Sequence, residues 1–94
     1  MKYNVSLTAE AELDLADALD YYAKISISLS DKLFREIDLV MESLAKYPKH
    51  HPERYNSIRI ASTANFSYGV HYTLLNSQVK VIRVLHHKQY YGKE

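Results

Sequence analysis

Hydrophobic and polar residues alternate along the last third of the chain, as they do in paired β-strands. Two such runs, 66–75 and 78–87, are separated only by Asn76 and Ser77, which predicts a β-hairpin with a two-residue turn. Uninterrupted pairing from that turn gives the hairpin two different faces. The predicted apolar face carries Phe66, Tyr68, Val70, Tyr72, Leu74, Val79, Val81, Arg83, Leu85 and His87. The predicted polar face carries Ser67, Gly69, His71, Thr73, Leu75, Gln78, Lys80, Ile82, Val84 and His86.

The first half of the chain has a different period. Residues 2–7 alternate like a half-buried strand, and Thr8 is the expected N-cap of a helix from residue 9 to about residue 25. After a serine-rich interruption, Ser30 is the expected cap of a second helix, whose apolar residues recur every three and four positions. Pro48 ends this helix. The pattern therefore predicts one strand followed by two helices.

A further short strand is predicted at residues 57–61, after a loop. A three-residue turn at 63–65 would place Ile58 and Ile60 on the apolar face and Arg59 on the polar face. A two-residue turn would reverse these positions, because a slip of one residue moves every side chain to the other side of the sheet. We prefer the register that buries both isoleucines.

The resulting order is β-α-α-β-β-β, an α+β fold with two N-terminal helices packed on one face of a small, mostly antiparallel sheet. The 94 residues form a single domain, 1–94. The chain has no cysteine, no long apolar run and no apolar segment near its start. These features exclude a disulfide framework and indicate a cytoplasmic protein that does not span a membrane.

Charge is divided unequally along the chain. Residues 9–47 contain nine acids and four bases, whereas residues 48–94 contain two acids, seven bases and all five histidines. This asymmetry indicates a basic half that faces an acidic partner, either nucleic acid or an acidic protein segment. The alternative is that acidic helices neutralise a basic sheet within the fold.

The predicted polar face supplies the candidate binding site. Its members are Arg59, Gly69, His71, Lys80 and His86. Arginine and lysine bind phosphates or carboxylates, and histidine exchanges protons near neutral pH. A glycine in a strand allows the backbone of a partner to approach. The alternative is an ordinary solvated sheet face, and catalysis is not favoured because no carboxylate, serine or tyrosine is clearly placed beside a histidine.

Arg83 is predicted among apolar neighbours, where an unpaired charge is costly. We therefore expect a structural role for Arg83, in an ion pair with an acid of the first helix such as Asp14 or Asp17. The histidine pairs at 50–51 and 86–87 do not indicate a metal site, because adjacent strand residues point to opposite faces and no further ligand has a recognisable spacing. The sequence indicates no metal and no cofactor.

The order of five segments resembles that of the RelE/ParE superfamily, the toxins of bacterial type II toxin–antitoxin pairs, which are often described as plasmid stabilisation proteins. The segments are LTAEAELDLA at 7–16, DYY at 20–22, IRI at 58–60, FSYGVHY at 66–72 and VIRVLH at 81–86. The resemblance covers essentially the whole chain and implies the fold derived above. It also implies a cognate antitoxin, whose C-terminal segment wraps around the toxin and neutralises it.

The superfamily implies two alternative targets. RelE-like members cleave messenger RNA in the ribosome with basic residues and a C-terminal tyrosine, whereas ParE-like members bind and poison DNA gyrase. In this chain the nuclease residues would be Arg59, His86, His87, Lys88, and Tyr90 or Tyr91. RVLH at 83–86 resembles the ParE branch, and Gly69 occupies the place of a RelE arginine. We therefore favour a non-enzymatic, gyrase-binding toxin, with a ribosome-dependent endoribonuclease or a degenerate toxin that retains only antitoxin binding as alternatives.

Overall fold

Two helices lie against one side of a five-stranded sheet in the computed structural model, which describes residues 2–88. The elements are β1 (Asn4–Leu7), α1 (Ala9–Ala23), α2 (Ile27–Lys46), a 3-10 turn (Pro48–His50), β2 (Glu53–Tyr55), β3 (Ile58–Ser62), β4 (Tyr68–Leu75) and β5 (Gln78–His86). The strand order is β1-β5-β4-β3-β2, with β1 parallel to β5 and the other pairs antiparallel. The predicted α+β class and the mostly antiparallel sheet are confirmed, and β2 is an additional strand within a segment predicted to be a loop.

The start of α1 is fixed by Thr8, as predicted. The Thr8 hydroxyl accepts a hydrogen bond from the backbone N–H of Ala11 at 3.2 Å, which satisfies one of the unpaired donors of the first turn. The same hydroxyl donates to the carbonyl of Ile82 at 3.1 Å. A local cap therefore also ties α1 to β5, far along the chain.

The prediction that Ser30 caps α2 is wrong. The helix begins at Ile27, after Ser26, and Ser30 lies inside it. The Ser30 hydroxyl donates instead to the carbonyl of Leu19 on α1, at 2.8 Å. Ser30 thus joins the two helices rather than starting the second one.

The core lies between the helices and the sheet. We call the side of the sheet that packs on the helices the helix-covered face, and its members are Val5, Leu7, Tyr68, Val70, Tyr72, Leu74, Val79, Val81 and Val84. The helices contribute Ala11, Ala18, Leu33, Ile37 and Leu44, all buried. The opposite side is the open face, and its members are Asn4, Ser6, Ile58, Ile60, Gly69, His71, Thr73, Leu75, Gln78, Lys80, Arg83 and Leu85.

The predicted register of β3 against β4 is wrong. Ile60 pairs with His71, and Arg59 pairs with Tyr72. This pairing is displaced from the predicted one by three residues, an odd number, so the two faces of β3 are exchanged. Ile58 and Ile60 consequently lie on the open face, and Arg59 lies on the helix-covered side.

The loop between β3 and β4 explains this register. The backbone N–H of Thr63 donates to the carbonyl of Tyr68 at 2.9 Å, and the N–H of Tyr68 donates to the Thr63 hydroxyl at 3.1 Å. Glu36 of α2 accepts two bonds from Asn65, at 2.9 Å and 2.7 Å. Ser67 completes the connection in a left-handed conformation, with φ of 57°. A helix residue therefore holds the loop in a longer form than the three-residue turn expected from sequence.

The β4–β5 hairpin follows the predicted register only in its first half. Pairing runs as expected from Leu75 with Gln78 to Tyr72 with Val81, but His71 pairs with Arg83, so Ile82 is an extra residue in a β-bulge. Beyond the bulge the faces of β5 are exchanged relative to the prediction: Arg83 and Leu85 move to the open face, and Val84 and His86 to the helix-covered side.

Candidate functional site on the open face of the sheet

The open face has an exposed part and a buried part. The exposed part lies near the β4–β5 turn and carries Asn4, Ser6, Leu75, Gln78 and Lys80, with the partly exposed Thr73 beside them. The buried part lies beyond the bulge and carries Ile60, Gly69, His71 and Leu85. Among residues 2–88, the exposed part offers side chains that a partner can reach without displacing the chain's own residues, whereas the four residues of the buried part do not.

His71 belongs to the buried part, with only 1% of its surface exposed. Its Nδ1 atom shares a 2.9 Å hydrogen bond with the Tyr55 hydroxyl. Burial is the largest cause that lowers the pKa of His71 to about 4, followed by the positive charges at His87 and Arg83. At neutral pH His71 is therefore an uncharged, hydrogen-bonded core residue, which differs from the cationic contact that the sequence suggests.

Arg83 makes an ion pair with Asp14, one of the two acids of α1 expected to reach it. The Asp14 carboxylate accepts bonds from Nε of Arg83 at 2.7 Å and from its Nη2 at 3.1 Å. The same carboxylate accepts the backbone N–H of Val84 at 3.0 Å, next to the bulge. The hydrogen bond to Asp14 is the largest cause that raises the pKa of Arg83. This geometry clamps α1 to β5.

Gly69 is needed by the chain's own packing. A Cβ atom added there would lie 2.9 Å from Cγ2 of Ile60 and 3.1 Å from Cε1 of His87. His87 is held in this position because its Nε2 atom shares a 3.0 Å hydrogen bond with the Ser62 hydroxyl. The space that we expected to admit a partner's backbone is filled by Ile60 and His87.

Arg59 lies away from the open face because of the shifted β3 register. Its guanidinium donates to the carbonyl of His51 and makes an ion pair with Glu53 at 3.8 Å. Its side chain is 19% exposed. Arg59 thus fastens the segment after α2 to the sheet, and it does not share a face with Lys80.

His86 is also displaced from the open face, in this case by the bulge. It pairs with Tyr68, and the two rings meet edge to face with centroids 5.2 Å apart. Its Nδ1 atom accepts the backbone N–H of Lys88 at 3.1 Å. Tyr90 and Tyr91 lie outside the described residues. Two described members of the nuclease set lie apart along β4, because Arg59 pairs with Tyr72 and His86 pairs with Tyr68. His87 lies on the opposite side of the sheet from both, against Gly69.

Lys80 keeps the position predicted for it. It is exposed, pairs with Thr73 on β4 and with Ser6 on β1, and so lies at the centre of the exposed part of the open face. Leu75, on the same face, is 66% exposed. An exposed cation beside an exposed apolar side chain is suited to contact an acidic, partly apolar protein segment.

Sequence reasoning missed Tyr55, because β2 was assigned to a loop. Tyr55 precedes Asn56 and Ser57, which adopt left-handed conformations with φ of 46° and 63° and form the β2–β3 turn. The same dipeptide, Asn76-Ser77, predicted the β4–β5 turn. The Asn-Ser pair between Tyr55 and Ile58 was thus a readable signal for this hairpin.

Within the described part of the chain, no three His, Cys, Asp or Glu residues are grouped so that they could hold a metal ion. Neither helix in residues 2–88 combines the length and the apolar character that crossing a membrane requires.

The fold and the site define a small α+β protein whose exposed sheet face is suited to protein contacts. A family model described as the ParE toxin of the type II toxin–antitoxin system, parDE, matches residues 5–91. The chain therefore belongs to the ParE toxin family.

A solved structure of the chromosomal ParDE TA system from P. aeruginosa is similar to this chain, with a TM-score of 0.79 and 15% sequence identity. The match covers 90% of this chain and 96% of the other. At this identity it demonstrates a shared fold. No curated protein matches the chain.

Proposed function

We propose that this toxin acts in the cytoplasm by binding DNA gyrase, and that a cognate antitoxin neutralises it by direct contact. Membership of the ParE family supports the first part, because ParE-like toxins are gyrase poisons. The observation that carries the proposal is that His71 and Arg83, two groups suited to chemistry, are both engaged within the fold. His71 has a pKa of about 4, and Arg83 is held by Asp14. These groups support the structure and leave binding to the exposed surface.

Phosphodiester cleavage makes different demands. It needs a proton acceptor or donor with a pKa near the working pH and a cation placed at the reacting phosphate. Within residues 2–88, Arg59 of the nuclease set already contacts Glu53 and the carbonyl of His51, and His86 and His87 lie on opposite sides of the sheet. This arrangement favours a binding toxin over a RelE-like ribonuclease.

The function is tested by two assays on the same chain. Purified toxin is added to a gyrase supercoiling reaction, and primer extension follows a translated message after pulsed expression in bacteria. We expect lost supercoiling or trapped gyrase–DNA cleavage, together with intact messages. Codon-positioned breaks with unaffected gyrase would instead establish the ribonuclease alternative. Growth without arrest, with gyrase unaffected, would indicate a degenerate toxin.

We place the antitoxin contact on the exposed part of the open face, around Lys80 and Leu75. Lys80→Glu is expected to weaken antitoxin binding by about tenfold at moderate salt, which corresponds to ~1.4 kcal/mol. Lys32→Glu, at an exposed position on α2, is the matched control and is expected to have little effect. Equal affinities for the two variants, measured by titration with the antitoxin from the adjacent gene, would remove the contact from this face.

Arg59, Gly69, His71 and His86 complete the partner-binding set suggested by sequence. Their proposed contribution is indirect, since each packs or pairs within the fold and helps to set the shape of the sheet that presents Lys80. Arg59→Glu is expected to reduce stability, because it places a second acid beside Glu53 and next to the carbonyl of His51. Thermal unfolding separates this effect from a loss of antitoxin contact.

A further inference from the structure

A cleft at the C-terminal end of α2 uses none of the open-face residues. Its volume is about 310 Å³, close to the lower end of the range for small-ligand sites. The residues that line it are Tyr3, Lys46, Tyr47, Pro48, Lys49 and His50. The cleft therefore combines two tyrosine rings and a proline with three basic side chains.

The basic residues of the cleft are exposed, and Glu42, an acid one turn before Lys46, lines the adjacent pocket and not this cleft. None of the residues that line the cleft within the described chain is acidic. The ion pairs within residues 2–88 do not include Lys46 or Lys49. The cleft thus presents a local concentration of positive charge that favours an anionic ligand.

Basic residues near the end of a helix often serve only to balance the negative end of the helix dipole. Here several carbonyl groups at the end of α2 and just after it have donors within the fold. The backbone N–H groups of Tyr3 and His50 donate to the carbonyls of Ala45 and Tyr47. The Tyr72 hydroxyl donates to the carbonyl of Pro48, and the Arg59 guanidinium donates to that of His51. These bonds reduce the number of unpaired carbonyls near the lysines that would repel an anion.

These bonds also hold the cleft rigidly. The Tyr72 hydroxyl donates to the carbonyl of Pro48 at 2.6 Å, and Pro48 is buried. The backbone N–H of Tyr47 donates to the carbonyl of Ser43 at 2.8 Å, which fixes the backbone that bears the ring. The Tyr47 side chain is nevertheless 69% exposed. An exposed aromatic ring on a fixed backbone can stack on a planar ligand with little loss of conformational freedom.

We propose that this cleft binds a single nucleotide of a single-stranded nucleic acid. The base stacks on Tyr47, with Tyr3 at the other side of the cleft, and the phosphate contacts Lys46, Lys49 and His50. An acidic peptide would use the lysines but would leave the exposed ring without a role. A duplex would hide the faces of its bases from Tyr47. Chemistry therefore favours an unpaired nucleotide over either alternative.

The test measures the fluorescence anisotropy of a short labelled oligothymidylate with the purified full chain at low salt. Tyr47→Ala is expected to weaken binding by about tenfold, since a base stacked on an aromatic ring contributes ~1–3 kcal/mol. Tyr47→Phe should retain binding because it keeps the ring. Tyr21→Ala removes an equally exposed tyrosine, 61% exposed on α1, outside the cleft, and should have no effect.

The charge contribution is tested separately. Lys49→Glu should lower the affinity and reduce the slope of log K against log salt by about 0.7, the value for one phosphate contact on a single strand. Lys32→Glu is the matched control. The proposal is overturned if Tyr47→Ala leaves the affinity unchanged, or if polyglutamate or the matching duplex binds as tightly as the oligothymidylate. An absence of binding at low salt overturns it as well.

Discussion

The two halves of the β4–β5 hairpin differ in the exposure of their open face. In the half near the turn, pairing is regular and Lys80 is exposed on the open face. In the half beyond the bulge, both faces are buried, as shown by Val84 at 2% and Leu85 at 4% exposure. The polar residues of the second half pair within the chain: the buried His71 with Tyr55, and the partly exposed Arg83 with Asp14.

Because of this difference, residues of similar chemistry on the same strand have different roles. Lys80 and Arg83 are both basic and only three positions apart. Lys80 is exposed to solvent, whereas Arg83 makes an ion pair with Asp14 and so holds α1 against β5. The bulge at Ile82 separates the two environments. Substitutions of the polar residues beyond the bulge should therefore change stability, and substitutions of the exposed open-face residues before it should change binding.

The largest effect is expected at Asp14. Asp14→Ala removes two bonds to Arg83 and leaves the N–H of Val84 without its acceptor. We expect a loss of about 2 kcal/mol in the free energy of unfolding, since the pair is only partly shielded from water. Asp17→Ala, on the same helix, is the control and should change it by less than ~0.5 kcal/mol. Urea unfolding measures both, and equal losses would contradict the clamp.

Gly69→Ala should have the next largest effect. The new methyl group would lie 2.9 Å from Cγ2 of Ile60, so the neighbours must move, at a cost of about 1–2 kcal/mol. In an Ile60→Ala background the same change should cost less, because the opposing methyl is absent. A double-mutant cycle by urea unfolding measures this coupling. Additive effects would show that the contact does not require glycine.

An effect of comparable size, but present only at acidic pH, is expected from His71. Its pKa is about 4 in the folded protein against 6.5 for an unperturbed histidine, so the unfolded chain binds more protons between these values. Stability from this group is complete above pH 6.5 and falls on acidification by up to ~1.4 kcal/mol per pH unit. Unfolding at pH 7 and pH 5 should show a flatter dependence for His71→Gln than for the unchanged protein. A dependence equal to that of the unchanged protein would contradict the burial of an uncharged His71.

The smallest effect on stability is expected at Lys80. Lys80→Glu should change the free energy of unfolding by less than ~0.5 kcal/mol, because the side chain is exposed and makes no ion pair within residues 2–88. The same variant is the one expected to weaken antitoxin binding. A stability loss as large as that of Asp14→Ala would remove the distinction between the two halves.

Local signals in the sequence were sufficient for both helices, for four of the five strands and for one turn, although not for the start of α2. Thr8 predicts the start of α1, and Asn76-Ser77 predicts the pairing of the hairpin near its turn. Both depend on residues close together in the chain. The class of fold followed from the order of these elements, and the resemblance to the toxin superfamily followed from the segments that carry them.

The bulge and the β3 register could not be predicted in the same way, because distant residues determine them. The bulge is bonded to Thr8 and lies beside the Asp14 carboxylate, and the β3–β4 loop is held by Glu36. Each of these contacts crosses from a helix to the sheet. Since a one-residue change reverses a face, they decided which side of the sheet received Arg59 and His86.

The pairing of the first strand with the last also affects when the toxin can fold. β1 is held by β5, and Thr8 bonds to Ile82, 74 residues further along the chain. Such contacts form only after a long segment has been closed into a loop, which slows folding. During synthesis β1 cannot complete its pairing until β5 has left the ribosome. A toxin chain made only as far as β4 therefore lacks the completed sheet, and the folded molecule forms only after β5 has been translated.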